Sequence, residues 1–382
     1  MGQKSKKEYL LAIWARYQRV GRRFKSKILD EFCAVCGYSR KYAIGLLRRK
    51  PTQRVKKPGP RPKYDAQVLE ALKEIWLASE QMCSKRLKAA LPLWLPFYEQ
   101  KHGGLDAELR SKLLKISPAS IDRLLKSVRA RYPGKGLCST RPGGLLKHQI
   151  PIRTDNHDVD RPGFLEVDSV AHCGSSMAGD MVFSLTFTCI FSQWTENRAV
   201  WNKGQTGVLQ QVEDLEQQLP FAIEGFDVDN GSEFLTHQLW RYFLDRPRPV
   251  PMTRSRAYRK NDQAHVEQKN WTHVRQLLGY HRLESEELVP LINDLYLTWG
   301  LLHNFFCPNL KLLSKTRKGA KTIRKYSAPQ TPFQRLLDSK HLTQQQKEKL
   351  QKQYQQLNPL QLKEQIEQKL KVVFAQAGIR YG

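Results

Sequence analysis

Apolar residues recur in two rhythms along this chain. Up to about Tyr132 the spacing is three to four, the period of helices with one buried face. Ile28, Leu29, Phe32 and Cys33 share such a face. Gly37 interrupts it, and Ala43, Leu46 and Leu47 resume it behind Ser39, a residue suited to an N-cap. Two short helices around a turn are therefore predicted between Ser26 and Lys50. Val68, Leu69, Leu72, Ile75 and Trp76 predict a further helix. Ile121, Leu124, Leu125 and Val128 predict another, with Ser117 as N-cap and Pro118 in the first turn.

From about Pro162 the period drops to two. "GFLEVDSVAH" reads as a short strand ending in Asp168. "MVFSLTFTCIF" puts Phe183, Leu185, Phe187 and Cys189 on one face and Ser184, Thr186 and Thr188 on the other, and "TENRAVWN" reads as a third strand. Helix and strand patterns then alternate. Val208, Val212, Leu215 and Leu219 mark a helix, "FAIEGFDVD" a strand, "SEFLTHQLWRYFLDR" a helix and "PVPMTRSR" a strand. "NDQAHVEQKNWTHVRQLLGY", opened by Asp262, reads as the next helix. The order β-β-β-α-β-α-β-α predicts an α/β fold, a mixed five-stranded sheet flanked by helices whose first three strands can pair as a meander. Farther on, Leu350, Tyr354 and Leu357, then Leu362, Ile366, Leu370 and Val373, predict two helices on either side of Pro359.

Composition adds organisation and a partner. With 382 residues, 40% of them hydrophobic, the chain can build two or three cores. "KKPGPRPKY" reads as a basic linker, and "PGKGLCSTRPGGLLKHQIPIRT" as a linker or a DNA-tracking arm. Four regions follow: 1–62, 63–155, 156–306 and 307–382. Lys and Arg number 64 against 36 Asp and Glu, a formal charge of +28. Nineteen of those cations lie between Lys4 and Lys63, with only three acids. Leu310–Tyr326, read as a basic loop, holds seven with no acid. Such clustering favours a polyanion, most often nucleic acid, over a merely soluble basic surface. Arg40, Lys41, Arg48 and Arg49 face outward on the helix after Gly37, and Arg123 and Lys126 on the helix after Ser117. Each set is either a solvated basic face or, in a helix-turn-helix, a surface for the major groove. No apolar run reaches the roughly 18 residues of a membrane span, and the first residues lack a signal-peptide pattern. Seven scattered cysteines fit a reduced, cytosolic protein. Cys33 and Cys36 lack a second ligand pair, so both are read as packing residues and no zinc is expected.

Against this charge three carboxylates stand out. Asp168 closes the first predicted strand, Asp229 the fourth, and Glu267 lies in the helix after the fifth. If the first and fourth strands are neighbours, the three can converge, and a cation is then needed to offset their repulsion. Hard oxygen donors suit Mg²⁺ or Mn²⁺. The ordinary alternative for each acid is a turn or helix-start residue. Asp227 shares a face with Asp229, so which of the two matters stays open on spacing alone.

"LEVDSV", "DVDNGSEF" and "NDQAHVEQKN" occur in order, with 37 residues between Asp229 and Glu267. Together they resemble the signature of the integrase-core transposases, the bacterial insertion-sequence and retroviral-type enzymes with a ribonuclease H-like catalytic domain. The resemblance spans roughly Arg161 to Phe306. It implies that Asp168, Asp229 and Glu267 are the catalytic acids and hold two Mg²⁺ or Mn²⁺ ions. It also implies binding of terminal repeats in double-stranded DNA, hydrolysis at the element's end, and attack of the freed 3′-hydroxyl on target DNA. A homo-oligomer on DNA, in the cytoplasm at the bacterial nucleoid, is expected with it. Asn230 and Gly231 would form the turn that aims Asp229. Arg254, Arg256, Tyr258, Arg259 and Lys260 would grip DNA by charge and stacking, with Lys269 on phosphate. A related nuclease, or a DNA-binding protein derived from a transposase, remains the competing reading.

Overall fold

The computed structural model describes residues 2–50, 63–131, 159–229, 231, 233–255, 264–318 and 321–380. Most of the basic linker and the Gly/Pro-rich arm lie outside the described residues. So do Asn230, Arg256, Tyr258, Arg259, Lys260 and Asp262. The chain divides into two units, Met1–Lys63 and Tyr64–Gly382.

The first unit holds α1 (Gln3–Arg19), α2 (Arg22–Cys36) and α3 (Arg40–Arg48). Ile13, Ile28, Leu29, Phe32, Cys36, Ala43 and Leu47 form its own small core. Gly37 turns the chain between α2 and α3 at φ 65° and ψ 33°, and its N–H donates to the Cys33 carbonyl at 2.8 Å. That left-handed backbone suits a residue without Cβ. Ser39 stands at the N-cap position of α3, but its hydroxyl caps no helix N–H. Sequence periodicity does not announce α1, which buries only Ile13.

The second unit opens with α4 (Ala66–Ala78), α5 (Ser84–His102), α6 (Ala107–Lys115) and α7 (Pro118–Arg129). Asp65 and Ser117 cap α4 and α7 through Val68 N and Ser120 N. A five-stranded sheet follows in the order β3-β2-β1-β4-β5. Its strands are β1 (Phe164–Ala171), β2 (Val182–Cys189), β3 (Thr195–Trp201), β4 (Gly225–Val228) and β5 (Met252–Arg254). The first three form the expected antiparallel meander, and β4 pairs parallel with β1 and β5 with β4. Strand β2 is buried on both faces rather than one. Its hydroxyls are accommodated by partners: Ser184 meets His172 and Tyr296, Thr186 meets Asn197, and Thr188 meets Thr195.

Helices α8 (Gln205–Gln218), α9 (His237–Leu244) and α10 (Ala264–Lys269) accompany the sheet. The last continues through a π-helical turn, Asn270–Arg275, into α11 (Gln276–Leu278). Helix α12 (Leu288–Phe306) packs on β3 and is buried along most of its length. Being apolar nearly all round, it shows no amphipathic rhythm in sequence. Residues expected to be a basic loop instead pair as a ribbon, β6 (Leu312–Lys318) with β7 (Lys321–Tyr326). Helices α13 (Pro332–Asp338), α14 (Gln344–Gln355) and α15 (Pro359–Gln376) close the chain. Leu362, Ile366, Leu370 and Val373 are buried along α15, as their spacing predicts. No helix among the described residues is long and apolar enough to cross a membrane.

Candidate functional site

Strands β1 and β4 run parallel in register from Phe164 opposite Gly225 to Val167 opposite Val228. Asp168 and Asp229 are the next residue on each. Two carboxylates thus leave neighbouring strands side by side. Asp168 does not close its strand, since β1 runs on to Ala171, but it lies just past the last pair of the β1–β4 ladder. Period-two geometry puts Glu166 and Asp227 on the same face, one pair deeper. Both are fully buried. Asp227 accepts a hydrogen bond from Thr253 Oγ1 at 2.5 Å, while Asp229 is half-buried at the strand's exit.

Electrostatics joins four acids here. Burial raises the Asp168 carboxyl from 3.8 to about 7, helped by the charges of Asp229, Glu233 and Glu267 and opposed by the Ser169 N–H. Burial and the Glu233 charge raise Asp229 to about 6, against the Gly231 N–H and the Lys203 ammonium. Glu233 itself is buried and has its own counter-ion, with Lys203 Nζ at 2.9 and 3.0 Å from its two oxygens. It also accepts from the Ser169 hydroxyl. Helix α9 begins only later, at His237, with Thr236 as its cap.

Helix α10 is fastened to the same strand. Glu166 Oε2 accepts from the backbone N–H groups of His265 and Val266, both at 3.0 Å, and Glu166 Oε1 meets His265 Nδ1 at 2.8 Å. A carboxylate at a helix N-terminus satisfies donors that have no partner within the helix. This hook brings exposed Glu267 within electrostatic reach of Asp168. One turn on, Asn270 Nδ2 donates to Asp168 Oδ2 at 2.6 Å. Gly231 holds Asp229 through its N–H, at 2.7 Å from Oδ1. A Cβ there would fall 2.7 Å from that oxygen and 2.8 Å from Glu233 Oε1, so a side chain at this position would displace the two carboxylates.

The donor set is carboxylate oxygen, the type hard divalent ions take. Repulsion among half-buried acids makes binding a cation favourable. Asp168, Asp229 and Glu267 are the residues that could hold one. Among the described residues no group of three His, Cys, Asp or Glu side chains is gathered closely enough to hold a metal ion.

The basic residues singled out from sequence fare differently. Lys41, Arg48 and Arg49 are exposed on or beside α3, and Arg123 and Lys126 on α7. Arg40 is tied to α2 by an ion pair with Asp30 and a 2.7 Å hydrogen bond to Ser26 Oγ. Arg254 is half-buried in β5. Lys269 does not reach outward: only 8% exposed, it lies inside the protein, and burial together with Arg86 and Arg335 pushes its amine from 10.5 down to about 7. The π-helical turn that begins one residue later also carries buried His273 inward. Sequence reasoning missed Glu166, Lys203 and Asn270. Glu166 and Asn270 both stand within the quoted motifs, Glu166 two residues before Asp168 and Asn270 three after Glu267. Nothing local marks Lys203.

No protein-family model matches the chain. It is 40% identical over 331 residues to "Uncharacterized protein y4rM" of Sinorhizobium fredii, covering 86% of this chain and 94% of that protein. With such identity along nearly the whole of both sequences, the chain belongs to the same family as y4rM.

Proposed function

We propose that the chain is a DNA transposase of the integrase-core kind, with a ribonuclease H-like sheet and Asp168, Asp229 and Glu267 as its catalytic acids. The observation that carries this is the placement of Asp168 and Asp229 at the same level on adjacent parallel strands, with the Glu267 charge acting on Asp168. The strand order β3-β2-β1-β4-β5, antiparallel then parallel, supports the fold assignment. Divalent ions held by these acids would supply Lewis-acid activation of a water or 3′-hydroxyl and stabilisation of the leaving oxygen. The chain's own groups keep the acids in place. Asn270 and the Ser169 N–H fix Asp168, the Gly231 N–H fixes Asp229, and Glu166 anchors the helix that brings Glu267. Lys41, Arg48 and Arg49 of the first unit, and Arg123 and Lys126, are the cations offered to duplex DNA. The enzyme acts as a homo-oligomer on DNA, in the bacterial cytoplasm.

Strand transfer by purified protein on labelled element-end DNA with Mg²⁺ tests this. Asp229→Asn should lower both cutting and joining by about a hundredfold or more. Full activity in that variant would remove the proposed site. Metal-dependent cutting without joining by the wild type would make the protein a nuclease instead.

A further inference from the structure

The ribbon β6–β7 has no part in the acid site. From Leu310 to Tyr326 there are seven cations, six of them on β6 and β7, and no acid, the most one-sided charge run among the described elements. Every described side chain from Leu313 through Thr316 and from Ile323 through Tyr326 is exposed. Three of them are large and apolar: Leu313 is 63% exposed, Ile323 42% and Tyr326 50%. An uncovered two-stranded ribbon is at best marginally stable in water. A partner that covers this one must therefore match both its charge and its exposed apolar side chains.

The base of the ribbon is firmly held. Lys311 and Ser327 exchange hydrogen bonds at 2.8 and 3.1 Å, and Lys311 Nζ donates to the Phe191 carbonyl at 3.2 Å. Asn309 and Gln330 bridge below them, and Arg335 braces Asn309 while donating to the Ser192 carbonyl at 3.2 Å. The turn between β2 and β3 thus serves as footing. From there the seven residues of β6 reach roughly 23 Å at strand rise. Two antiparallel strands have the width that the major groove of B-form DNA admits. A second copy of this chain is a poor occupant, since it would bring the same cations and a further charge of +28.

We infer that the β6–β7 ribbon is a duplex-DNA-binding arm. It lies in a groove with Arg324 and Lys325 toward the flanking phosphates; Ile323 and Tyr326, three apart on β7, face opposite sides of the ribbon, so one of the two sides meets sugars and base edges. This rests on the reading of the protein as a DNA enzyme, and adds a contact that neither the helical regions nor the acid site supply.

The test uses the full-length protein and a mixed-sequence duplex of about 40 base pairs, with affinity measured against salt concentration. Replacing Lys315, Arg317, Lys318, Lys321, Arg324 and Lys325 by Gln should lower the salt slope by about 0.9 per lost phosphate contact and weaken binding about tenfold or more. The double variant Arg324→Gln/Lys325→Gln, at exposed positions, should lower the slope by about 1 to 2 and melt like the wild type. Binding by the wild type with an unchanged slope in both variants overturns the ribbon's role and leaves the DNA reading standing. A variant that changes oligomer mass but not DNA affinity overturns it in favour of a contact between copies. A wild type that binds no duplex removes the functional reading itself, and the ribbon's role with it.

Discussion

Lys269 is a cation with no carboxylate among the groups that shift its amine; burial and two arginines lower it, and only the Cys307 thiol opposes them. The unfolded chain keeps its proton up to about 10.5, whereas the folded chain releases it near 7. The contribution of the neutral amine to stability is therefore fully present above 10.5 and is lost as pH falls through 7. Lys269→Met removes the penalty. Its gain in melting temperature should be about 5 °C at pH 7 and vanish toward pH 10.5, as thermal unfolding across that range would show. A variant less stable than wild type at pH 7 would mean that the amine has an acceptor inside. At this scale, sequence spacing puts Asp168 and Asp229 near the ends of two strands but leaves the pairing of those strands as a condition, which the β3-β2-β1-β4-β5 order meets. The same reasoning directs Lys269 outward to phosphate, because local sequence does not reveal that Arg86, Cys307 and Arg335 surround it in the interior. Glu166 went unremarked for a related reason: its partners are backbone N–H groups of His265 and Val266, about a hundred residues away.

Elements with one apolar and one polar side are legible in the sequence, and those without that contrast are not. α3, α4, α7, α8 and α15 follow their amphipathic spacing, whereas α12, buried on nearly every side, offers no alternation to read. The basic segment after Pro308 was equally opaque, since its charges mask the pairing of Leu312 with Tyr326 and of Thr316 with Ile323. The functional division between basic elements is testable. In the proposed reading, α3 reads sequence and the ribbon adds affinity along any duplex. Lys41, Arg48 and Arg49 changed together to Gln should erase most of the preference for element-end DNA over mixed DNA. The ribbon substitutions should weaken both duplexes by the same factor. Competition binding at fixed salt separates the two, and an undiminished preference in the α3 variant would take α3 out of the groove.

On the scale of the molecule, one core runs through the second unit from its first helices to its last. Trp94 Nε1 on α5 donates to the Phe306 carbonyl at the end of α12, at 2.9 Å. Phe97 packs edge-on against the Phe306 ring, with centroids 5.8 Å apart. Glu80, just past α4, is paired with Lys363 on α15. The helices of residues 63–131 therefore wall the interior on which the sheet depends, whereas the first unit encloses a separate core. Composition marks both stretches alike, by a Pro/Gly-rich basic segment, and cannot tell a boundary between cores from one inside a core. A fragment of residues 64–382 should melt in one cooperative transition within about 2 °C of the full chain's main transition. Residues 156–382, stripped of α4–α7, should lose about 10 °C or more or aggregate, because Phe306 and its neighbours lose their cover. Calorimetry on the two fragments decides it: equal melting temperatures would show that the α4–α7 helices only decorate the sheet, and the site's acids would then owe nothing to them.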